Sequence, residues 1–120
     1  MYINLECCQK HSIQSYGNNF IKINSLIYKK SLIINNDTII STWKVNNIYD
    51  INKYNIKPLI LYKTNIILIA SNNIQISYLN KLKKLFTKKI ALECMSISSA
   101  CKIFNILLCE NRYVSMGVIL

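Results

Sequence analysis

The sequence predicts an α/β fold: a single three-layer domain with a mixed central sheet, helices packed on it, and β-hairpins from the N-terminal part. β-rich runs dominate the first third, a continuous apolar run follows at Ile66–Ala70, and strand and helix patterns then alternate. With 120 residues, 52% hydrophobic and 17% charged, the chain is long and apolar enough for one core, which excludes disorder as the main state. We therefore expect one domain over residues 1–120.

Two β-hairpins are predicted first, each formed by two β-rich runs around a short polar link. The four runs are residues 20–23, 26–28, 31–34 and 38–43. Asn24 and Ser25 form the first link, and residues 35–37 form the second. Both hairpins are expected to add strands at one side of the sheet. Asp50 is then expected to cap a short helix that ends before Pro58, because the residue preceding a proline resists helical geometry.

The second half predicts strand, helix, strand, helix and strand. Ile66–Ala70 is apolar throughout, as is typical of a strand buried on both faces in a parallel sheet. Residues 76–89 predict a helix with one apolar stripe and an opposite lysine face. The stripe is Ile76, Leu79, Leu82 and Phe86, and the lysine face is Lys81, Lys84 and Lys88. Residues 90–95 and 113–120 predict two further strands, the last one broken only by Gly117.

A second helix is predicted after residue 95, with Ser98 or Ser99 as its cap. Its apolar residues repeat at helical spacing and are expected to face the core: Ala100, Ile103, Phe104, Leu107 and Leu108. Cys101 lies one step off this stripe and is expected to be a buried, inert thiol. Asn105 also lies outside the stripe, and we expect its amide to tie the helix to neighbouring backbone, with the turn after Ile66–Ala70 as one candidate partner.

The chain is strongly basic, with a formal charge of +10, and Arg112 is the only arginine among its 15 basic residues. Half of the chain is isoleucine, asparagine, lysine or tyrosine, which share A/T-rich codons. We interpret this bias as the mark of an A/T-rich genome, so much of the charge does not indicate a selected nucleic-acid site. Non-specific nucleic-acid binding through the lysine face stays a weaker alternative.

The cysteines indicate a reducing compartment. There are five, an odd number, and the first ten residues lack the apolar core of a signal peptide. Cys7, Cys8 and His11 are zinc-ligand types, but no second Cys/His pair has suitable local spacing, so neither a metal nor another cofactor is predicted. No apolar run approaches the roughly 18–20 residues that span a bilayer.

No catalytic residues are predicted, because the chain has one histidine, five scattered acids and neither a Walker A motif nor a nucleophile elbow. One place nevertheless suggests ligand binding. If 66–70 and 90–95 are neighbouring parallel strands, two polar loops meet at one sheet edge, where α/β proteins bind ligands. The predicted pocket residues are Ser71, Asn72, Ser96, Ser98, Ser99 and Asn105. The alternative is that these side chains only cap helices, and we favour it.

Several segments resemble a known family. Residues 15–23, S-Y-G-N-N-F-I-K-I, resemble its opening motif, and Trp43 and the strand Ile66–Ala70 with its polar turn fit its pattern. The most specific segment, E-C-M-S-I-S-S-A-C-K-I-F-N-I-L-L at 93–108, resembles E-x-M-D-T-G-A-A-C-R-T-Y-N-x-L-L. This is the domain of unknown function 498 family, and the resemblance covers about residues 12–120. The chain departs from it at Ser71 and Asn72, where the family often has threonine and glycine, and at Ser96 and Ser98, where it has aspartate and glycine.

The resemblance implies a three-layer α/β fold without an established catalytic activity. A mitochondrial relative helps to assemble the NADH–ubiquinone oxidoreductase, respiratory complex I. The chain is thus expected to be a non-catalytic interaction protein with respiratory complex subunits as partners. Its expected location is the bacterial cytoplasm or a compartment like the mitochondrial matrix, and a position peripheral to the inner membrane is an open alternative. A second functional alternative is a small-anion binder or an enzyme at the predicted pocket.

Overall fold

The computed structural model describes residues 11–60, 64–73, 76–86 and 89–120. Eight strands are formed: β1 Ile13–Tyr16, β2 Ile21–Ile23, β3 Leu26–Tyr28, β4 Leu32–Asn35, β5 Ile39–Ile40, β6 Ile66–Ala70, β7 Ala91–Met95 and β8 Val114–Val118. The helices are α1 Lys57–Ile60, α2 Ile76–Lys83 and α3 Ile97–Cys109, with a 3-10 turn at Ile48–Asp50. In this described part of the chain, no helix is both long and apolar enough to cross a membrane.

The central sheet is mixed and has the strand order β5-β4-β8-β6-β7. β6 runs parallel to both β7 and β8, whereas β4 is antiparallel to its neighbours β5 and β8. The predicted parallel pairing of β6 with β7 is confirmed, with Leu68 opposite Glu93. The α/β class with a mixed sheet is therefore confirmed as well.

The two faces of the central sheet bury different sets of residues. On β6, Leu68 and Ala70 belong to a core under α3, while Ile67 and Ile69 belong to a second core on the other face. This division follows from the alternation of side chains along a strand. The second core contains Trp43 and Leu82, from the segments that follow β5 and from α2. The result is the predicted three-layer arrangement.

The first hairpin is confirmed, but it does not join the central sheet. β1, β2 and β3 form a separate antiparallel sheet whose Ile21 and Ile23 are fully buried in the core beneath α3. Asn24 and Ser25 have φ angles of 53° and 66°, as a two-residue hairpin turn with the right twist requires. The expectation that both hairpins extend the central sheet is thus wrong for the first one.

The second hairpin, β4–β5, does extend the central sheet. Its turn is closed by the Asn35 side chain, whose Oδ1 accepts from the backbone N–H groups of Asp37 (2.9 Å) and Thr38 (2.8 Å). Asparagine favours such turns because its side chain replaces a backbone acceptor. The second strand is shorter than the predicted 38–43, because after Ile40 the chain leaves β4.

The predicted helix starting at Asp50 is wrong. Asn47 caps the 3-10 turn, and Asp50 is its last residue, with its carboxylate accepting from the backbone N–H groups of Asn46 (3.0 Å) and Asn47 (3.3 Å). Pro58 lies in the first turn of α1 rather than after a helix. Proline is tolerated there because N–H groups in a first turn have no partner within the helix.

The two longer helices are predicted, but with different ends. α2 ends at Lys83, six residues earlier than predicted, and Lys88 of the predicted lysine face lies outside the described residues. α3 begins at Ile97 with Ser96 as its cap, so the prediction of Ser98 or Ser99 as the cap is wrong.

The buried stripe of α3 is also centred differently than predicted. Its fully buried residues are Ile97, Ala100, Cys101, Phe104 and Leu108. Ile103 is 37% exposed, so its assignment to the core is wrong, whereas the buried Cys101 is confirmed. Because α3 starts before the predicted cap, Ile97 joins the stripe, and Cys101 packs in the core in place of Ile103. Gly117 does not break the last strand, since it pairs with both Ile33 and Ile69 inside β8.

Candidate functional site

The predicted polar loops do lie at one edge of the central sheet. Ser71 directly follows β6 and Ser96 directly follows β7, and these strands are parallel neighbours in register from Ile66 to Ala70. The backbone N–H of Ser71 donates to the carbonyl of Met95 (3.0 Å), which joins the loops at their first residues.

The side chains of the first loop are hydrogen bonded within the fold. Asn72 Oδ1 accepts from the backbone N–H of Ile97 (3.2 Å), which is one of the free donors at the start of α3. Ser71 is buried, and its Oγ accepts from the backbone N–H of Asn73 (3.2 Å). The first loop thus caps the helix that follows the second strand.

The serines of the second loop form the N-terminal cap of α3. Ser96 Oγ accepts from the backbone N–H of Ser99 (3.3 Å) and donates to Ser99 Oγ (3.1 Å). Ser98 and Ser99 are exposed in the first helical turn. Two donors that could hold an anion, the N–H groups of Ile97 and Ser99, therefore already have protein acceptors. The pocket at this edge stays a prediction, and the observed bonds agree with helix capping.

Asn105 makes a two-bond contact with β1. Its Oδ1 accepts from the backbone N–H of Ile13 (2.7 Å), and its Nδ2 donates to the Ile13 carbonyl (2.9 Å). The predicted tie from this amide to neighbouring backbone is confirmed, but its partner is β1 and not the turn after β6. The structure therefore brings together Ser71, Asn72, Ser96, Ser98 and Ser99, and places Asn105 about two turns further along α3.

The candidate metal ligands are only partly described. Cys7 and Cys8 lie outside the described residues. His11 is buried, and its Nδ1 donates to the carbonyl of Asn35 (2.8 Å), since a carbonyl can only accept. Within residues 11–60, 64–73, 76–86 and 89–120, no three His, Cys, Asp or Glu side chains are grouped as metal ligands. In the same residues, every buried side-chain nitrogen or oxygen has a hydrogen-bond partner.

Two thiols near this edge are held in their protonated form. Burial raises the pKa of Cys101 from 9.0 to about 12. Burial, with a smaller contribution from the Glu93 carboxylate, raises the pKa of Cys94 to about 11, although Lys83 opposes this shift. The thiolate is the reactive form of cysteine, so neither thiol has the character of a nucleophile near neutral pH.

We expect Cys94 and Cys101 to resist iodoacetamide in the native protein at about pH 8 and to react fully in concentrated urea. Because the folded state retains these thiol protons above the ordinary thiol pKa of 9.0, only a small fraction of either thiol should be ionised even about one pH unit higher, and native alkylation should stay far slower than in the unfolded protein. Peptide mapping by mass spectrometry measures both sites, with the unfolded protein as the control. Rapid native alkylation of Cys101 would contradict its assignment as an inert core residue.

A cleft that the sequence does not indicate lies where β4 begins and β8 ends. It is open to solvent on one side and has a volume of about 440 Å³. The lining residues are Lys29, Lys30, Ser31, Thr42, Trp43, Lys44, Asn46 and Leu120. Leu32 pairs with Val118, so this cleft opens at the same edge of the central sheet as the loops after β6 and β7. The adjacent Lys29 and Lys30 are the only sequence feature that points to this cleft, and one lysine pair does not stand out in a chain with 15 basic residues.

The comparisons with known proteins agree with this fold. The family model described as "Protein of unknown function (DUF498/DUF598)" matches residues 13–119. No curated protein matches the sequence. The chain is similar in fold to the Xanthomonas campestris protein XCC1710, with 21% identity, a TM-score of 0.79, and coverage of 94% of this chain and 86% of that one.

Two Bordetella structures are also similar in fold. A protein from Bordetella parapertussis is 17% identical with a TM-score of 0.73, over 92% of this chain and 96% of that one. A protein from Bordetella pertussis, described as a Mth938-like domain, is 15% identical with a TM-score of 0.64, over 98% of this chain and 87% of that one. The family model spans nearly the whole chain, and the resemblance found in the sequence is thereby confirmed: the protein belongs to the DUF498/DUF598 family of proteins of unknown function.

Proposed function

We propose that this protein is a non-catalytic interaction protein that acts as an assembly factor for respiratory complex I. The observation that carries the proposal is that the polar side chains at the sheet edge are bonded to backbone groups of the fold. Ser96 and Asn72 cap α3, and Asn105 binds backbone of β1, so these side chains support the fold. Cys94 and Cys101 are protonated, and these polar side chains are bonded to backbone. Among the described residues, the edge therefore has no nucleophile paired to a base. The assembly role is proposed from the family resemblance, since a mitochondrial relative helps to assemble complex I.

An exposed apolar edge supports binding to another protein. Leu26 and Ile27 on β3 are 60% and 58% exposed. β3 is the outer strand of its sheet and, among the described strands, pairs only with β2. An edge strand of this kind can accept an added strand from a partner, with the exposed apolar side chains filling pockets on it. In this proposal the partner is a complex I subunit, met at the inner membrane surface from the cytoplasm or a matrix-like compartment.

The test is an affinity purification from native membranes solubilised in mild detergent, with the tagged full chain as bait. Complex I subunits should be enriched over an untagged sample, as measured by quantitative mass spectrometry. The variant Leu26→Asn with Ile27→Asn should lose this enrichment. Because both side chains are exposed, it should stay within about 0.5 kcal/mol of wild-type stability.

The matched control is Tyr54→Asn with Ile106→Asn, which removes two other exposed apolar side chains. This control should retain the complex I subunits. Failure of the wild-type chain to recover any subunit from membranes that contain the complex would overturn the proposal. Equal losses in the two double variants would overturn the role given to β3.

A further inference from the structure

We propose that the cleft between the start of β4 and the end of β8 binds a small molecule that carries a phosphate group. The lining residues supply three ammonium groups, from Lys29, Lys30 and Lys44, and no acidic side chain lies among them. The inference goes beyond the assembly role and does not depend on it.

The lysine ammonium groups that line the cleft are not paired within the described part of the chain. All three lysines are exposed, and none of their ammonium groups forms an ion pair or hydrogen bond with a described residue. The hydroxyl of Thr42 and the amide of Asn46, both exposed lining groups, add neutral donors beside these charges. Lysine binds phosphate as a point charge, and several ammonium groups lining one cleft favour a multiply charged anion over a chloride ion.

The backbone under these groups is held in place by hydrogen bonds. The backbone N–H of Trp43 donates to the carbonyl of Ser31 (2.7 Å), which joins the segment carrying Lys30 to the segment carrying Lys44. The backbone N–H of Leu120 donates to Ser31 Oγ (3.0 Å), and Ser31 is buried. Three separate segments are thus fixed around one opening, so little ordering of the backbone is needed when an anion binds.

The floor and the volume of the cleft indicate more than a bare ion site. Trp43 is 5% exposed and its Nε1 donates to the carbonyl of Asn55 (2.9 Å), so the indole is a fixed wall. Leu120 adds a partly buried apolar surface. A volume of about 440 Å³ lies in the range of small-molecule pockets. We therefore infer a ligand in which a phosphate group is attached to a compact organic part.

The experiment uses the fluorescence of Trp43, the single tryptophan of the chain, which lines the cleft. The full chain is titrated with inorganic phosphate, pyrophosphate and glycerol 3-phosphate, each at constant ionic strength set with sodium chloride. A saturable change is expected, with a Kd of about 1 mM or below for at least one of the three probes. The absence of saturation with all three would overturn the proposal.

Two triple variants with the same change of net charge separate the cleft from general electrostatics. Lys29→Gln with Lys30→Gln and Lys44→Gln should weaken phosphate binding about tenfold, as expected for the loss of three partly exposed ionic contacts. Lys81→Gln with Lys83→Gln and Lys84→Gln alters exposed residues of α2 and its end, and should weaken binding less than about twofold. Equal weakening in both variants, or binding only to long polyanions such as nucleic acid, would contradict a defined site.

Discussion

Replacing Gly117 by alanine is expected to lower the free energy of unfolding by about 1–3 kcal/mol, the range for an overpacked core. A Cβ atom at this position would lie 2.6 Å from Cζ3 and 2.7 Å from Cη2 of Trp43. The indole cannot easily move away, because it is buried and its Nε1 is bonded to the Asn55 carbonyl. β8 is also central in the sheet, with β4 on one side and β6 on the other, so the strand itself cannot shift.

A double-mutant cycle in urea denaturation measures this effect. Trp43→Leu removes the ring that the new methyl group would meet, so Gly117→Ala should cost much less in that background. The difference between the two costs is the energy of the clash. If Gly117→Ala were equally costly with tryptophan or leucine at position 43, the close approach of the ring would not explain the glycine.

Replacing Asn105 by alanine is expected to cost about 1–3 kcal/mol, because it leaves two partly buried backbone groups without their partner. The lost bonds are those from the Ile13 N–H to Oδ1 (2.7 Å) and from Nδ2 to the Ile13 carbonyl (2.9 Å). The change also removes a link between α3 and the small sheet. Thermal and urea denaturation measure the loss, and Asn105→Asp should also destabilise, because a carboxylate oxygen would face the Ile13 carbonyl where Nδ2 now donates.

Asn80→Ala is the matched control for this prediction. Asn80 is exposed on α2, and its side chain makes no hydrogen bond with a described residue. Its replacement should change stability by no more than about 0.5 kcal/mol. A melting temperature unchanged by Asn105→Ala would refute the structural role of this residue.

The sequence predicts the strands that are buried on both faces better than the rest of the fold. β6 is apolar at every position, and its length and its parallel pairing with β7 follow from the strand and helix patterns around it, whereas its pairing with β8 does not. β1 is not predicted as a strand, because only Ile13 of its four residues is buried and its pairing with β2 is irregular after that residue. The cap of α3 is misplaced because three of the four residues at 96–99 are serines, which all favour a cap. The bond from the Ile97 N–H to Asn72 joins the start of α3 to a distant loop, which no local pattern indicates.

The sequence locates the polar loops correctly but not the partners of their side chains. That Ser71 and Ser96 share an edge follows from strand direction alone. That Asn105 binds Ile13 depends on a contact across 92 positions of the chain, which no local pattern contains. The lysine-lined cleft also depends on a tertiary contact, since the bond between Trp43 and Ser31 brings Lys44 close to Lys29 and Lys30.

The most direct test of the assembly role is the amount of fully assembled complex I in cells that lack this protein. Blue-native electrophoresis with an in-gel NADH dehydrogenase stain measures it, with other respiratory complexes on the same gel as the control. We expect less mature complex, accumulated subassemblies, and recovery with the wild-type chain but not with Leu26→Asn and Ile27→Asn combined. Unchanged levels of mature complex I in the deletion would contradict it.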